Sequence, residues 1–236
     1  MGGDNEQTMV VSAATSGAMR VLLHHRPNDI PPGLWCYRID SKRCLLGGAL
    51  NDVGRAVSWL ENTLNLDGVD LDEIAAEAVS TSTPGVLPFL TGERSTGWAG
   101  SARTAFVDVS ASTDAAGMAR GMLEGIAASY RRVADEMEEA AKDVEKIVAA
   151  GSVTQDLPSW LQILGDYLGK PVIHQVMKRS TARGTALLML ESLAPDVDPA
   201  DHEPAGTYSP QDETREYYDG VHERFERVYD ALVAGS

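Results

Sequence analysis

Two short turns carry the residue types from which an anion site can be built. Thr15-Ser16-Gly17 lies between two strand-like runs, so backbone N–H groups and two hydroxyls can converge there on one anion. Gly151-Ser152 ends another such run and precedes a helical pattern, the arrangement that turns N–H groups and a positive dipole end toward a phosphate. Taken singly, each is an ordinary Ser/Gly turn. Other chemistries are harder to assemble. His24 and His25 are neighbours in a strand-like run, so they point to opposite faces and cannot share a metal ion. None of the five histidines has a partner at the i, i+4 spacing of a helical zinc pair. Neither a G-x-S-x-G nucleophile elbow nor a Walker P-loop is present. Cys36 and Cys44 cannot make a disulfide framework or a four-ligand zinc site. They fit opposite arms of a hairpin as free, buried thiols.

The elements that must position these turns are legible from hydrophobic spacing. MVVSAA (9–14) and AMRVLLHH (18–25) predict a hairpin across Thr15-Ser16-Gly17, and LWCYRI (34–39) with RCLLGGAL (43–50) a second one. Val53, Val57, Leu60 and Leu64 then follow a helical period, with Asn51 or Asp52 as the expected N-cap. A short helix is expected at Leu71–Val79 behind Asp70. Residues 80–104 keep no period, but Val86–Leu90 and Trp98 are too apolar for a solvated linker. A long helix runs from about Asp114 to Ala141 with Met118, Met122, Ile126, Tyr130, Val133 and Met137 on its core face. Next come a strand (Lys146–Ala149), the Gly151 turn, a helix (Pro158–Leu168), a strand (Pro171–Met177) and a helix (Ala182–Leu193). Residues 195–213 read as an exposed acidic crossing. The last helix, about 213–233, sets Tyr218, Val221, Phe225, Val228 and Leu232 on one stripe that should dock on the domain or on a partner. One α/β domain results, an antiparallel part followed by a βα part.

Length and charge narrow the function classes. At 236 residues the chain can bury roughly 70–75% of its unfolded surface and needs no covalent staples. The formal charge of −15 disfavours nucleic acid and anionic membranes as partners. No apolar run approaches the ~20 residues of a membrane span. Met1–Gln7 lacks the charged-then-apolar order of a secretory signal, so a cytoplasmic location is expected.

Several stretches, in order, resemble the FGGY family of carbohydrate kinases. Leu87-Pro88-Phe89-Leu90-Thr91-Gly92-Glu93-Arg94-Ser95 resembles that family's PFL-x-GER-S segment, and Thr15-Ser16-Gly17-Ala18-Met19-Arg20 its TSGA-x-R hairpin. Gly47-Gly48-Ala49-Leu50-Asn51-Asp52 is similar to the GGAL-ND stretch of the gluconate-kinase branch, and Leu123-Glu124-Gly125 to the family's LEG. Trp160-Leu161-Gln162-Ile163 with Asp166, Gly169, Pro171 and Val172, and later Ala182-Arg183-Gly184, complete the set. The resemblance implies the C-terminal half of such a kinase: an RNase H-like (actin-like ATPase) domain, a mixed sheet flanked by helices. It divides the chain into an extension (1–8), the nucleotide-binding domain (9–195), and the acidic crossing with a docked final helix (196–236). It implies ATP and Mg²⁺, transfer of the γ-phosphoryl to a hydroxyl of a sugar or sugar acid (gluconate-like), and an N-terminal half that this chain needs for turnover. A homodimer is left open.

By that resemblance Thr15, Ser16 and Gly17 cradle the β/γ-phosphates, Gly151 and Ser152 contact the nucleotide, and Glu93 with Arg94 buttresses the cleft as an ion pair, direct substrate contact being the lesser option. Arg183-Gly184 opens a packed helix whose glycine allows close backbone approach. Gly3-Asp4 echoes the family's catalytic GD-x, but Asp4 lies only eleven positions before Thr15, closer than the family usually has it. Asp4 is either the equivalent carboxylate on a shortened connection or a coincidental terminal acid. Departures weaken the expected site. Ala14 replaces a glycine, and Ala150-Gly151-Ser152-Val153 stands where S-G-G is usual. Thr96 replaces a proline, Thr104, Asp108 and Val53 replace glycines, and Arg179 stands where glutamate is common. A non-catalytic module that keeps the fold for assembly is the alternative these losses suggest.

Overall fold

The computed structural model describes residues 6–177, 180–198 and 203–234; Asp4, Arg179 and His202 lie outside them. Four strands open the chain: β1 (Thr8–Ala13), β2 (Gly17–Leu23), β3 (Trp35–Arg38) and β4 (Cys44–Leu50). Alternating branched and small residues suit a pleated, half-buried surface, and both predicted hairpins form. The first strand pair stops earlier than its sequence suggests, so His24 and His25 are exposed beyond β2. Strand β7 (Lys146–Ala150) lies parallel to β1, β8 (Val172–His174) parallel to β7, and β9 (Gly206–Tyr208) antiparallel at the far edge. The sheet order is β3-β4-β2-β1-β7-β8-β9. It is a mixed sheet of seven strands.

Register places Met9, Val21 and Leu46 in one line across the sheet, and Val11, Met19 and Ala149 in the next. All six are essentially solvent-free, against the face covered by α3 (Ala115–Glu136). On that helix Met122, Ile126, Tyr130 and Val133 point inward as their spacing requires, while Met118 is only half-buried. Each such apolar side chain contributes about 1.5–3 kcal/mol on removal from water. Asp114 caps α3, its carboxylate accepting from Gly117 N at 2.8 Å. Replacing Asp114 by Ala should cost about 1 kcal/mol in urea unfolding.

Helices α1 (Gly54–Thr63) and α2 (Leu71–Ala76) follow β4, and Asp70 caps α2 as expected, whereas α1 takes no side-chain cap. Within residues 80–104 the short strand β5 (Gly85–Leu87) pairs with β6 (Ala105–Val107). Val86, Leu87 and Phe89 are buried, but Trp98 is half-exposed, its indole N–H donating to Gly33 O at 2.9 Å. Asp108, where the resemblance placed a glycine, has φ +62°. Asp tolerates this left-handed region better than most residues. Helix α4 (Ser152–Asp156) follows Gly151, and α5 (Trp160–Leu168) closes on Gly169.

Helix α6 (Ser180–Leu193) does not pack as expected: none of its residues is buried, and a Cβ on Gly184 would meet nothing within 4 Å. Gly184 therefore serves no close approach within the described residues. The final helix α7 (Arg215–Tyr229) docks on α3, α5 and β5. Its stripe departs from the expected one at the end. A π-helical turn over Asp230–Ala234 rotates the phase, so Val233 is buried and Leu232 exposed.

Both cysteines are free, Cys44 buried and Cys36 half-buried. Burial, and a hydrogen bond that the Cys44 thiol donates to Cys36, push the Cys44 thiol up to about 11. At pH 8 its thiolate is therefore scarce, and iodoacetamide should leave Cys44 unmodified in the native protein while labelling it after unfolding.

Candidate functional site

The turn after β1 and the turn after β7 meet at one end of the sheet. Parallel pairing sets Ser12 opposite Ala150, so each chain leaves its strand beside the other. In open α/β sheets this edge, beyond the C-terminal ends of parallel strands, is where ligands bind. Thr15, Ser16 and Ser152 are exposed.

The first turn does a structural job as well. Ala14 O accepts from Gly54 N at 2.7 Å, and Thr15 O accepts from Arg55 N at 3.1 Å. These carbonyls satisfy the orphan N–H groups at the start of α1, which is why neither Asn51 nor Asp52 caps it. The carbonyl side of the turn is thereby engaged. Ala14 N–H donates to Ser16 O at 3.1 Å within the turn, and the N–H groups and hydroxyls of Thr15 and Ser16 remain for an anion. Gly17 is fixed by packing: a Cβ there would sit 2.2 Å from the Tyr130 hydroxyl, which itself donates to Ser12 O at 2.8 Å.

Gly151 has φ +138°, a conformation that side chains rarely adopt. A Cβ on it would stand 1.9 Å from Ala13 O. The backbone of β1 therefore demands glycine here. Gly151 O accepts from Thr154 Oγ1 at 3.0 Å and Gln155 Nε2 at 3.1 Å, which ties the turn to the first turn of α4.

Two of the stretches read separately above, Gly47–Asp52 and Leu87–Ser95, converge on this end. Ala49 N donates to Ser95 Oγ at 2.9 Å, and Ser95 N donates back to Ala49 O at 2.9 Å. Asn51 Nδ2 reaches Gly92 O at 2.9 Å. The buried Asp52 carboxylate accepts from Thr91 N at 2.8 Å, from Thr91 Oγ1 and from Arg55 Nη1 at 2.7 Å. Asp52 is accordingly committed to the loop and is no free base. Arg55 was not among the sequence candidates, yet its backbone caps against Thr15 and its guanidinium brings a cation to this end. Only its place just after Asn51-Asp52 hinted at it.

The expected Glu93–Arg94 ion pair is replaced by other partners. Glu93 is buried and accepts from Tyr229 O–H at 2.7 Å and Thr96 N at 3.0 Å, while Arg94 lies over the Trp98 ring. Burial and Glu93 push the Tyr229 phenol up to about 12. Arg94 could not have been separated from Glu93 by sequence, since the true partner of Glu93 is over a hundred residues away on α7. At the end of β8, His174 is buried and its imidazole pKa is lowered by that burial, so it is neutral near pH 7. Among the described residues no group of three or more His, Cys, Asp or Glu side chains could hold a metal ion, and no helix is long and apolar enough to cross a membrane.

Comparison with known proteins agrees with this architecture. The chain is 26% identical over 196 residues to a gluconokinase of Bacillus subtilis (strain 168), a match spanning 77% of this chain and 38% of the relative. It is 30% identical over 145 residues to a glycerol kinase of Thermococcus kodakarensis, covering 61% of this chain and 29% of that protein. The crystal structure of a gluconate kinase from Lactobacillus acidophilus superposes with a TM-score of 0.84 at 24% identity, over 96% of this chain and 48% of that one. The fold is therefore the RNase H-like, actin-like ATPase fold, and the chain spans less than half the length of these proteins. Residues 9–192 match the model of the FGGY family of carbohydrate kinases, C-terminal domain, and the chain belongs to that family.

Proposed function

We propose that the chain is the nucleotide-binding half of an ATP-dependent carbohydrate kinase that phosphorylates a hydroxyl of a sugar or sugar acid, gluconate-like, once joined to an N-terminal half. The observation that carries this reading is the meeting of the Thr15–Gly17 and Gly151–Ser152 turns at one sheet end. Phosphoryl transfer needs little covalent chemistry from the protein and much positioning of charge. Here the N–H groups and hydroxyls of Thr15 and Ser16, with Ser152 across the turn, would hold the phosphate chain. The donor set suits an anion: exposed hydroxyls whose neighbouring carbonyls are already engaged. Mg²⁺, when bound, neutralises charge on the phosphates and would be held mainly by their oxygens and water rather than by a protein carboxylate cage. The sugar contacts, and the turnover that depends on them, belong in this reading to the other half. Asp4 stays a candidate base by position in the sequence alone.

Calorimetry of MgATP with the wild-type chain and a Thr15→Ala/Ser16→Ala variant tests the assignment. Both hydroxyls are exposed, so the variant should fold normally. Each lost hydrogen bond to a charged group is worth about 1.5–3 kcal/mol, so affinity should fall tenfold or more. Equal affinity in the two proteins would remove these residues from the site.

A further inference from the structure

Arg55 is tied along the first turn at both ends. Its backbone N–H donates to Thr15 O, and its side chain runs back to the end of β4. There Nη1 donates to Asn51 O at 3.1 Å, to Asp52 Oδ1 at 2.7 Å and to Thr91 Oγ1 at 3.0 Å. Leu50 pairs with Gly17, so Asn51 continues β4 alongside Ser16 and the guanidinium stands beside the turn. All three side-chain bonds engage one nitrogen. Among the described residues Nε and Nη2 have no partner, and the side chain is 43% exposed. The buried Asp52 carboxylate, itself held by Thr91 N at 2.8 Å, fixes the plane of the guanidinium from one side. What stays open is the edge formed by Nε and Nη2, a fork that fits two oxygens of one phosphate.

We propose that this open edge of Arg55 binds the phosphate chain of the nucleotide next to Thr15 and Ser16, an inference that rests on the nucleotide-binding reading above. Two further observations favour it. Among the described residues, Arg55 is the one cation hydrogen-bonded to either turn, so without it only neutral hydroxyls and N–H groups face the charge of a triphosphate. The net charge of −15 repels such an anion at long range, and a fixed guanidinium at the site offsets that repulsion where the phosphates come to rest. Because one arm is already immobilised, little side-chain freedom is lost when the other edge closes on a phosphate. The competing role is structural, with Arg55 acting only as a tie between the end of β4 and the Thr91 loop.

The test titrates MgATP and magnesium tripolyphosphate into the wild-type chain, Arg55→Gln and Arg55→Lys by calorimetry, and follows hydrogen exchange of the Thr91 amide in each. Arg55→Gln should lose about tenfold or more in affinity for both phosphates while the Thr91 amide, still bonded to Asp52, stays protected. Lysine keeps one nitrogen for Asp52 but has no second edge to offer. Arg55→Lys should therefore fold as the wild type does and also bind both phosphates more weakly; if the glutamine variant does not fold, the lysine variant decides alone. Unchanged affinity in the deciding variant would overturn the proposal. So would a loss of affinity that comes with loss of Thr91 protection, since Arg55 would then be the tie and nothing more. A wild-type chain that binds neither MgATP nor tripolyphosphate at millimolar concentration would overturn the nucleotide reading itself, whereas a wild type that binds both as well as its variants do removes Arg55 alone.

Discussion

Replacing Arg120 by Ala should destabilise the protein by about 3–5 kcal/mol, the usual loss on breaking a buried ion pair from one side. Arg120 and Glu124 are both buried on α3, with Nε and Oε1 2.8 Å apart. The same guanidinium donates to the carbonyls of Ile74, Ala75 and Glu77 at the end of α2 and to the Tyr218 hydroxyl on α7 at 3.0 Å. Tyr217 O–H donates to Glu124 Oε2 at 3.0 Å. One cation therefore joins three helices. Without it, a carboxylate and the C-terminal carbonyls of α2 stay buried with too few donors.

Burial already raises the Glu124 pKa, with Arg120 pulling it back. In the variant that restraint is gone and the folded-state pKa rises further. The stability of the variant is then highest below the ordinary glutamate range and falls as pH increases through the raised value. The deficit relative to wild type should accordingly be larger at pH 8 than at pH 4.5. For a chain of this length the loss corresponds to a melting-point drop of roughly 6–20 °C. A drop under 2 °C at pH 8 would show that the cluster is not the clamp described.

Gly151→Val should be nearly as damaging and for a different reason. The φ of +138° is costly for any side chain, by about 1–3 kcal/mol, and the new Cβ would have to displace the backbone at Ala13 O. Neither obstacle can be relieved by rotating a side chain. We expect a total loss of about 3 kcal/mol or more in urea unfolding. Gly169→Ala supplies the contrast. It ends α5 at φ +60° with nothing within 4 Å of a Cβ, so it should lose only about 1 kcal/mol. If both variants lose the same amount, the contact with β1 is not what demands glycine at 151. A consequence for the site is that nucleotide binding cannot be judged from Gly151→Val, whose fold is compromised first.

Much of the scaffold was legible because its signals are local. Branched residues alternating around Ser16-Gly17 and around Asp40-Ser41-Lys42 specify hairpins, and Met122–Val133 specifies the inner face of α3. What the sequence hid were partners far along the chain. No local pattern announces that Thr15 O will cap α1, or that Tyr229 will hold Glu93. Strand β9 is three residues long and carries no period of its own; only the free edge of β8 makes it a strand. The π-helical turn near Asp230 moved the end of an amphipathic stripe by one residue. The positive φ of Gly151 suits the glycine that the sequence places there, while its close approach to Ala13 O is visible only in three dimensions. The stretches Gly47–Asp52 and Leu87–Ser95 were found by resemblance, while their mutual hydrogen bonding, which places Arg55 at the site, became visible only in three dimensions.

Whether the two turns share one phosphate site is read most directly by titrating the isotope-labelled chain with MgATP and following amide chemical shifts. The amides of Thr15, Ser16, Gly17, Gly151 and Ser152 should move together with one saturation curve, while those of Lys142 and Gly169 at the opposite end of the sheet stay still. Shifts confined to that opposite end, or none at millimolar MgATP, would contradict a shared site.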